Sequence, residues 1–397
     1  MALDIHLVGL MLCQGTFAGS VTEGIAMRAT TTLKAAVAAV ITTVLISLPA
    51  TAQGPGFTIT YLGMLPGAFE SSASGISESG DVAGVSGGRA FLYHNRRLTD
   101  LGTLGGSLSL ANGLNDSGQV VGASTLPGDL ALHAFLYRSG RMTDLGSLGG
   151  DLSFANGISQ SGSLVVGDSA TSIGSLHAFL YRAGRLRDLG TLGGDFATAA
   201  AVNDSGQIVG GSSLAGELTA HAFLISGSRM KDINPGIPGG VISRASAINQ
   251  NGRVALFEFN DQSAPIPFVY QGGRFTKIKL PAGDAYAIPM SINDSGAVVG
   301  ISGDVNGPLR VFLSRGSVTL DLNTVLPDLC FFCSLGINDN GQIAGSTLDL
   351  VSFVGQAVVL TPGGGAGSQN GATRASAVAR SSSRVTWKAA QQKVGLK

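Results

Sequence analysis

The stretch Ser153–Leu192 reads SFANGISQSGSLVVGDSATSIGSLHAFLYRAGRLRDLGTL and contains four short strand candidates in succession. Ser153–Ile158 (SFANGI) leads into a Ser-Gln-Ser-Gly turn, and Ser163–Asp168 (SLVVGD) follows it. Then come His177–Arg182 (HAFLYR), a turn at Ala183-Gly184, and Arg185–Leu192 (RLRDLGTL). Each candidate is bounded by Gly, Asn or Asp, and none carries the 3.6-residue apolar period of an amphipathic helix. In such turns Gly takes a positive φ, and Asn or Asp folds its side chain onto the backbone. This pattern predicts an all-β chain.

The same unit recurs on both sides. Turns of the form Asn-Asp-Ser-Gly stand at Ser77–Gly80, Asn115–Gly118, Ser159–Gly162, Asn203–Gly206, Asn249–Gly252, Asn293–Gly296 and Asn338–Gly341. Their glycines are 38, 44, 44, 46, 44 and 45 residues apart, which is an internal repeat and not chance. Four strands in a unit of this length is the size of a propeller blade. The two ends are complementary in phase. Thr58–Leu65 (TITYLGML) aligns with the fourth strand of the unit, and Gln356–Thr361 (QAVVLT) with the third. The opening residues can therefore complete the last blade. An open solenoid needs polar capping repeats, and none is visible. The expected fold is a seven-bladed β-propeller of four-stranded blades, closed by the N-terminal strand and monomeric; a β-solenoid is the alternative.

Composition agrees with many short buried strands. The chain is 44% hydrophobic and only 13% charged, too apolar for a disordered polymer, and its 59 glycines suit tight turns. Formal net charge is zero but unevenly placed. Residues 53–361 hold 17 Lys and Arg against 23 Asp and Glu, whereas 362–397 hold six bases (Arg374, Arg380, Arg384, Lys388, Lys393, Lys397) and no acid. A mildly acidic body argues against nucleic acid as a partner, because phosphate binding needs a basic face. The segment 362–397 reads as a disordered basic tail. It is either an electrostatic tether to an anionic surface or an extension without a partner.

The N-terminus carries an export address. Met27-Arg28 to Lys34 is a short positive region, Ala35–Leu48 an uncharged apolar stretch, and Ala50-Thr51-Ala52 a small-x-small cleavage pattern ahead of Gln53. Residues 27–52 read as a signal peptide, with a retained anchor as the alternative, and 1–26 as an extension upstream of the true start at Met27. A secreted, extracellular or periplasmic protein is expected, cleaved near Ala52, with residues 53–361 as its repeat body.

Two further motifs mark the repeat. His-Ala-Phe-Leu stands at His133–Leu136, His177–Leu180 and His221–Leu224, with weaker forms at Arg89–Leu92, Pro267–Tyr270 and Arg310–Leu313. Asp-Leu-Gly-(Thr/Ser)-Leu-Gly-Gly stands at Asp100–Gly106, Asp144–Gly150 and Asp188–Gly194. In this order and spacing they resemble the HAF repeat family of bacterial probable extracellular repeat proteins. The resemblance spans about Phe57 to Thr361 and weakens at Ile233–Gly240, Ile278–Ala285 and Leu322–Leu329. It implies a repeat architecture and an exported location, and carries no activity with it. The sorting signal found in many relatives, a Pro-Glu-Pro motif followed by a membrane helix, is absent from this sequence.

The candidate chemistry is sparse. His133, His177 and His221 occupy one position in successive units, too far apart to share a metal; each is expected to bond a backbone carbonyl at a strand end. Asp116, Asp204, Asp294 and Asp339 offer one carboxylate per turn, whereas calcium needs several converging oxygens. Asn115, Asn203 and Asn293 match a glycosylation acceptor, but the turn already demands them. Gly84–Gly88 fits G-x-S-x-G by letter only, since that motif requires a strand-to-helix elbow. Cys330 and Cys333 read as a local disulfide in an exported protein, with two free thiols as the alternative. No metal or cofactor is expected. Two function classes remain: a non-catalytic binding module for an extracellular glycan, polymer or protein, and an exported lyase or hydrolase. The enzyme would build its site at the channel mouth from residues that break the repeat, namely Glu258, Asp261, Lys277, Lys279, Asp284 and Tyr286.

Overall fold

The computed structural model describes residues 51–54, 56–216, 219–304, 307, 309–324, 335–348 and 355–363. Most of the expected signal peptide 27–52, the Cys330–Cys333 pair and nearly all of the segment 362–397 lie outside these.

The third unit forms four antiparallel strands in order: Gly149–Ile158, Leu164–Thr171, Leu176–Arg182 and Arg185–Asp188. The fourth strand is shorter than the sequence predicts. Asp188 Oδ1 accepts the Gly190 amide at 2.7 Å, and Gly190 takes φ 71°, so the chain turns before it reaches Leu192. The first unit (Ser71–Ile76 to Arg97–Asp100), the fifth (Ile242–Ile248 to Arg274–Lys277) and the sixth (Tyr286–Ile292 to Val318–Asp321) are separate four-stranded sheets. The second, third and fourth units share one twelve-stranded sheet, joined only by the parallel bridges Leu132–Leu152 and Leu176–Phe196. A last sheet orders Gly336–Ile337, Ile343–Leu348, Gly355–Pro362, Phe57–Gly63 and Thr51–Gly54. Phe57–Gly63 runs antiparallel along Gly355–Pro362, with Thr58 opposite Thr361 and Thr60 opposite Val359. The protein is all-β, a propeller-like arrangement of small sheets.

The first strand of each unit touches the first strand of the next, and Gly336–Ile337 touches Ser71–Ile76. First strands therefore lie innermost and fourth strands outermost. The core sits between neighbouring units. The motif Phe residues 91, 135, 179, 223 and 312 are completely buried. Phe179, for example, packs with Val165 and Ala155 of its own unit and with Val121, Ala134 and Leu145 of the one before. Truncating such a Phe to Ala costs about 3–5 kcal/mol. Leu62, Leu65, Ala344, Ala357 and Val359 pack in the same way on Ala73, Val82 and Phe91 of the first unit.

Polar seams repeat with equal regularity. Ser153 Oγ accepts the Ala134 amide of the preceding unit at 2.8 Å and donates to Gly146 O at 2.7 Å. Ser109 does the same with Ala90 and Gly102, and Ser71 with Ala357 and Gly63. At the turns, each buried Asn folds onto its own backbone, as Asn203 Oδ1 does in accepting the Gln207 amide. The Asn amide group then reaches the next turn: Asn203 donates to Asn249 O, Asn249 to Asn293 O, Asn293 to Asn338 O, and Asn338 to Ser77 O. The next residue makes a second circuit, with Ser161 as donor in the third turn. The backbone amides of residues 78, 116, 161, 204, 250, 294 and 339 donate in turn to Asp116, Gln160, Asp204, Gln250, Asp294, Asp339 and Glu78.

Candidate functional site

Buried charge is rare in this protein, so its location is informative. Asp168 and Glu258 are the charged residues buried below 9% exposure among those described. Both lie in second strands, one register position apart in the repeat.

Asp168 stands opposite Phe154 in the third unit. The corresponding pairs are Thr198 with Gly211 in the fourth unit and Arg244 with Phe257 in the fifth. In the first, second and sixth units the same layer holds Ser72 with Val85, Leu110 with Ala123, and Ile288 with Ile301. Across units three to five this layer therefore holds Asp, Thr and Arg, while Ser346 of the seventh unit occupies the Asp168 position and bonds Ser72 of the first at 2.9 Å. Asn156 on the third first strand donates 2.6 Å to Asp168 Oδ1 and 3.0 Å to Ala199 O of the next unit. Burial pushes the Asp168 carboxyl up to about 6, against the opposing pull of the Asn156 bond and the Arg244 charge. Burial likewise draws the Arg244 guanidinium down, offset by Asp168. Gly211 lets the Arg244 stem lie close, since a Cβ there would sit 3.4 Å from Arg244 Cγ. Asp168 and Arg244 form no ion pair within 4.0 Å, and the Arg244 guanidinium has no hydrogen-bond partner among the described residues. Thr198 Oγ1, on a side chain 5% exposed, has none either. The arrangement can donate hydrogen bonds to a ligand. No group of three or more His, Cys, Asp or Glu is placed for a metal among the described residues.

Sequence reasoning missed this cluster. Its usable signal was a charge in the middle of an inner strand: Arg244 is the only Lys or Arg on the seven first strands. The residues singled out instead do other work. Glu258 occupies the position of Ser86, Ser124, Ser169 and Ser212, whose hydroxyls accept the amides of Leu65, Leu104, Leu148 and Leu192. Its Oε2 accepts the Ile237 amide at 3.0 Å in the same way, and burial raises its pKa. Asp284 accepts the Ser302 hydroxyl at 2.6 Å and lies 3.5 Å from Arg310, which also reaches Asp321 at 3.6 Å. Burial raises Asp284 as well, and Tyr286 is raised by burial and by the neighbouring Asp284. Asp261, Lys277 and Lys279 are exposed. No hydrogen bond or ion pair among the described residues joins Glu258, Asp261, Lys277 or Lys279 to the Asp284–Tyr286 group.

The histidines correct a second expectation. Their partner is a carboxylate, not a backbone carbonyl: His133 bonds Asp144 at 3.0 Å, His177 bonds Asp188 at 2.8 Å, and His221 bonds Asp232 at 2.7 Å, each through Nδ1. The HAF and DLG motifs are thus two halves of one cross-strand clasp, kept as Arg89–Asp100 in the first unit and Arg310–Asp321 in the sixth. In the fifth unit the ladder puts Ile266, not Pro267, at the His position, and Lys277 at the Asp position, so no clasp forms. Ser86 of the G-x-S-x-G match lies within a strand, accepting the Leu65 amide and donating to Glu70 O. Asn115, Asn203 and Asn293 are buried.

The sequence matches no protein-family profile and no curated protein. Solved structures similar to it are propellers. The extracellular domain of a one component system from B. thetaiotaomicron aligns with TM-score 0.50 and 11% identity, over 77% of this chain and 40% of that one. TolB from Acinetobacter baumannii aligns with TM-score 0.43 and 10% identity, over 63% of this chain and 65% of that one. The β-propeller domain of the Trilobed protease from Pyrococcus furiosus aligns with TM-score 0.48 and 6% identity, over 80% and 98%. This chain spans less than two-thirds of the TolB and one component system structures it resembles. At these identities the likeness concerns the fold. No helix among the described residues is long and apolar enough to cross a membrane.

Proposed function

We propose that the chain is an exported, seven-bladed propeller of the HAF repeat kind, closed by Phe57–Gly63, which works as a non-catalytic binding module. Three features support closure. Phe57–Gly63 pairs along Gly355–Pro362, Ser71 repeats the seam bonds of Ser109 and Ser153, and both turn circuits return to the first unit. The export address supports the compartment. The basic tail would then weakly tether the ring to an anionic surface.

The observation that carries the binding reading is the inner-strand cluster. Thr198 Oγ1 is buried and unpartnered, and the half-exposed Arg244 one unit on bonds no described residue through its guanidinium. Buried polar groups are almost always paired, so a buried unpaired hydroxyl beside an open guanidinium fork is suited to a ligand. The partner class is an extracellular glycan, polymer or protein that presents a small polar group into this place.

The test is a ligand screen by protein-detected NMR and thermal shift on the exported chain, with wild type beside Arg244→Gln and Thr198→Val. Neutral sugars, sugar acids and short organic acids form the panel. The reading predicts at least one binder whose effect is lost in both variants. It fails if no compound binds, or if every binder acts equally on all three proteins. Turnover of a bound compound would instead establish the exported enzyme.

A further inference from the structure

We propose that the Asp168–Thr198–Arg244 cluster is an anion site: Arg244 and Thr198 hold the carboxylate of a small monocarboxylate ligand, and Asp168 is the counter-charge behind it. This rests on the proposed place of binding and adds the chemical class of the ligand.

The argument begins with the donors. A guanidinium presents five N–H groups in a planar fork and has no acceptor of its own. Arg244 spends none of them on a described residue, although burial already disfavours its charge. Arg244 is half-exposed, so its fork is open to a ligand, and the group that matches its planar pair of donors is a carboxylate. Thr198, one unit upstream and in the same register layer, supplies a hydroxyl that is buried and unpartnered.

Asp168 does not serve as that carboxylate. It is 3% exposed, tied to Asn156 at 2.6 Å, and not within ion-pair distance of Arg244. It does feel the guanidinium charge, which is the Coulombic influence acting on it. With Asp168 protonated the cluster carries one net positive charge, which suits a ligand of single negative charge. A phosphate dianion would bring a second charge against Asp168 with no second cation to balance it. Neutral hydroxyl ligands could use the donors but would leave the guanidinium charge uncompensated once Asp168 is protonated.

This geometry has a pH signature. The groups that face Asp168 are Asn156 on its own unit and Arg244 two units on; no other titratable group acts on it. Its carboxyl sits near about 6. When pH falls through that value Asp168 loses its charge, the cluster gains one net positive charge, and a ligand carboxylate should be held more tightly. The glucuronate carboxylate stays ionised down to about pH 4, so the two effects separate for it, whereas acetate is itself partly protonated by about pH 5.

The experiment is calorimetric titration of the exported chain with acetate, with D-glucuronate and with D-glucose, which has a hydroxymethyl group in place of the glucuronate carboxylate. At pH 5.0 acetate and glucuronate should bind and glucose should not. Arg244→Gln should weaken the carboxylates at least about tenfold, the size of one lost charged hydrogen bond. Thr198→Val should weaken them severalfold. From pH 7.5 to pH 5.0 wild type should tighten about tenfold, equivalent to one pKa unit of coupling, and Asp168→Asn should remove that dependence. Inorganic phosphate at equal concentration should compete poorly. Equal binding of glucose and glucuronate, both lost in Arg244→Gln, would overturn the anion site and leave the binding place standing. Failure of every probe to bind wild type, or unchanged carboxylate affinity in Thr198→Val and Arg244→Gln, would overturn the inference. If Arg244→Gln does not fold, Thr198→Val and Asp168→Asn carry the same decision.

Discussion

Ser71→Ala and Ser153→Ala together test whether the first and last units meet in solution as the second and third do. Ser71 Oγ accepts the Ala357 amide at 3.0 Å and donates to Gly63 O at 2.7 Å, whereas Ser153 makes the same two bonds, at 2.8 and 2.7 Å, between consecutive units. Both serines are 2% exposed or less. Removing the hydroxyl leaves a buried amide and a buried carbonyl short of one partner each, and no water-filled space is created by a change this small. A buried polar group left unsatisfied costs about 1–3 kcal/mol. A combined loss of about 2 kcal/mol is therefore expected at either site. At about 2.1 cal/mol/K of unfolding entropy per residue, each kcal/mol lowers Tm by about 1.5 °C in a body of about 300 residues, so each variant should melt about 3 °C below wild type. Scanning calorimetry of wild type and both variants, with urea midpoints as a second measure, reads the effect. Equal losses support a closed ring. If Ser153→Ala drops by the expected amount while Ser71→Ala melts with wild type, the terminal seam does not exist in solution and closure is wrong. If neither moves, the hydroxyl bridges contribute nothing and the reasoning from buried polar satisfaction fails for both.

Other outcomes follow from the same structure. Asp168 has a folded pKa of about 6 against 3.8 for the ordinary carboxyl. The folded state thus binds the extra proton between those values, and stability should fall as pH rises from about 4 to about 6, by about 3 kcal/mol at most. Urea midpoints across that range should show the slope in wild type and lose it in Asp168→Asn; an unchanged slope would place the shift elsewhere. Gly167→Ala should be severely destabilising, beyond about 3 kcal/mol, because its Cβ would overlap the Phe154 carbonyl oxygen on the neighbouring strand. A soluble Gly167→Ala protein with a wild-type melting curve would refute that contact. Glu258→Ser should stay within about 1 kcal/mol of wild type, since the shorter side chain restores the bond made elsewhere in the repeat, whereas Glu258→Leu should cost about 1–3 kcal/mol by orphaning the Ile237 amide. Chemical denaturation of the pair separates a structural Glu258 from one whose loss is harmless either way.

Much of the unit was legible from sequence because turn chemistry is local. The Asn and Gly of each turn are imposed by a few backbone angles, so Asn203–Gly206 and its copies announced the strand ends on either side. Strand limits were less legible where a side chain competes with the ladder. Asp188 looked like a strand residue, yet its carboxylate caps Gly190 and clasps His177, and the strand stops there. The candidate site was hidden for a different reason. Asp168 closes the segment SLVVGD, where an Asp reads as a boundary residue, and Arg244 lies two units downstream. Only the strand register, which puts Phe154–Asp168, Thr198–Gly211 and Arg244–Phe257 in one layer, brings them together. Glu258 was conspicuous because it breaks a run of serines, but a carboxylate oxygen accepts an amide as well as a hydroxyl does.

The circuit of turn bonds has a consequence for how this surface can change over time. The position that accepts each backbone amide is filled by Glu78, Asp116, Gln160, Asp204, Gln250, Asp294 and Asp339. The bond asks only for an sp² oxygen on a short or medium stem, which acids and side-chain amides both offer. Exchanges between Glu and Gln, or between Asp and Asn, are therefore nearly silent for folding while each alters the charge of that mouth by one. Burial and the acids at 339, 116 and 294 already raise the Glu78 pKa, so crowding there is felt across the circuit. Electrostatic character at this end is consequently a free variable for mutation, adjustable in single steps without disturbing the architecture that displays it.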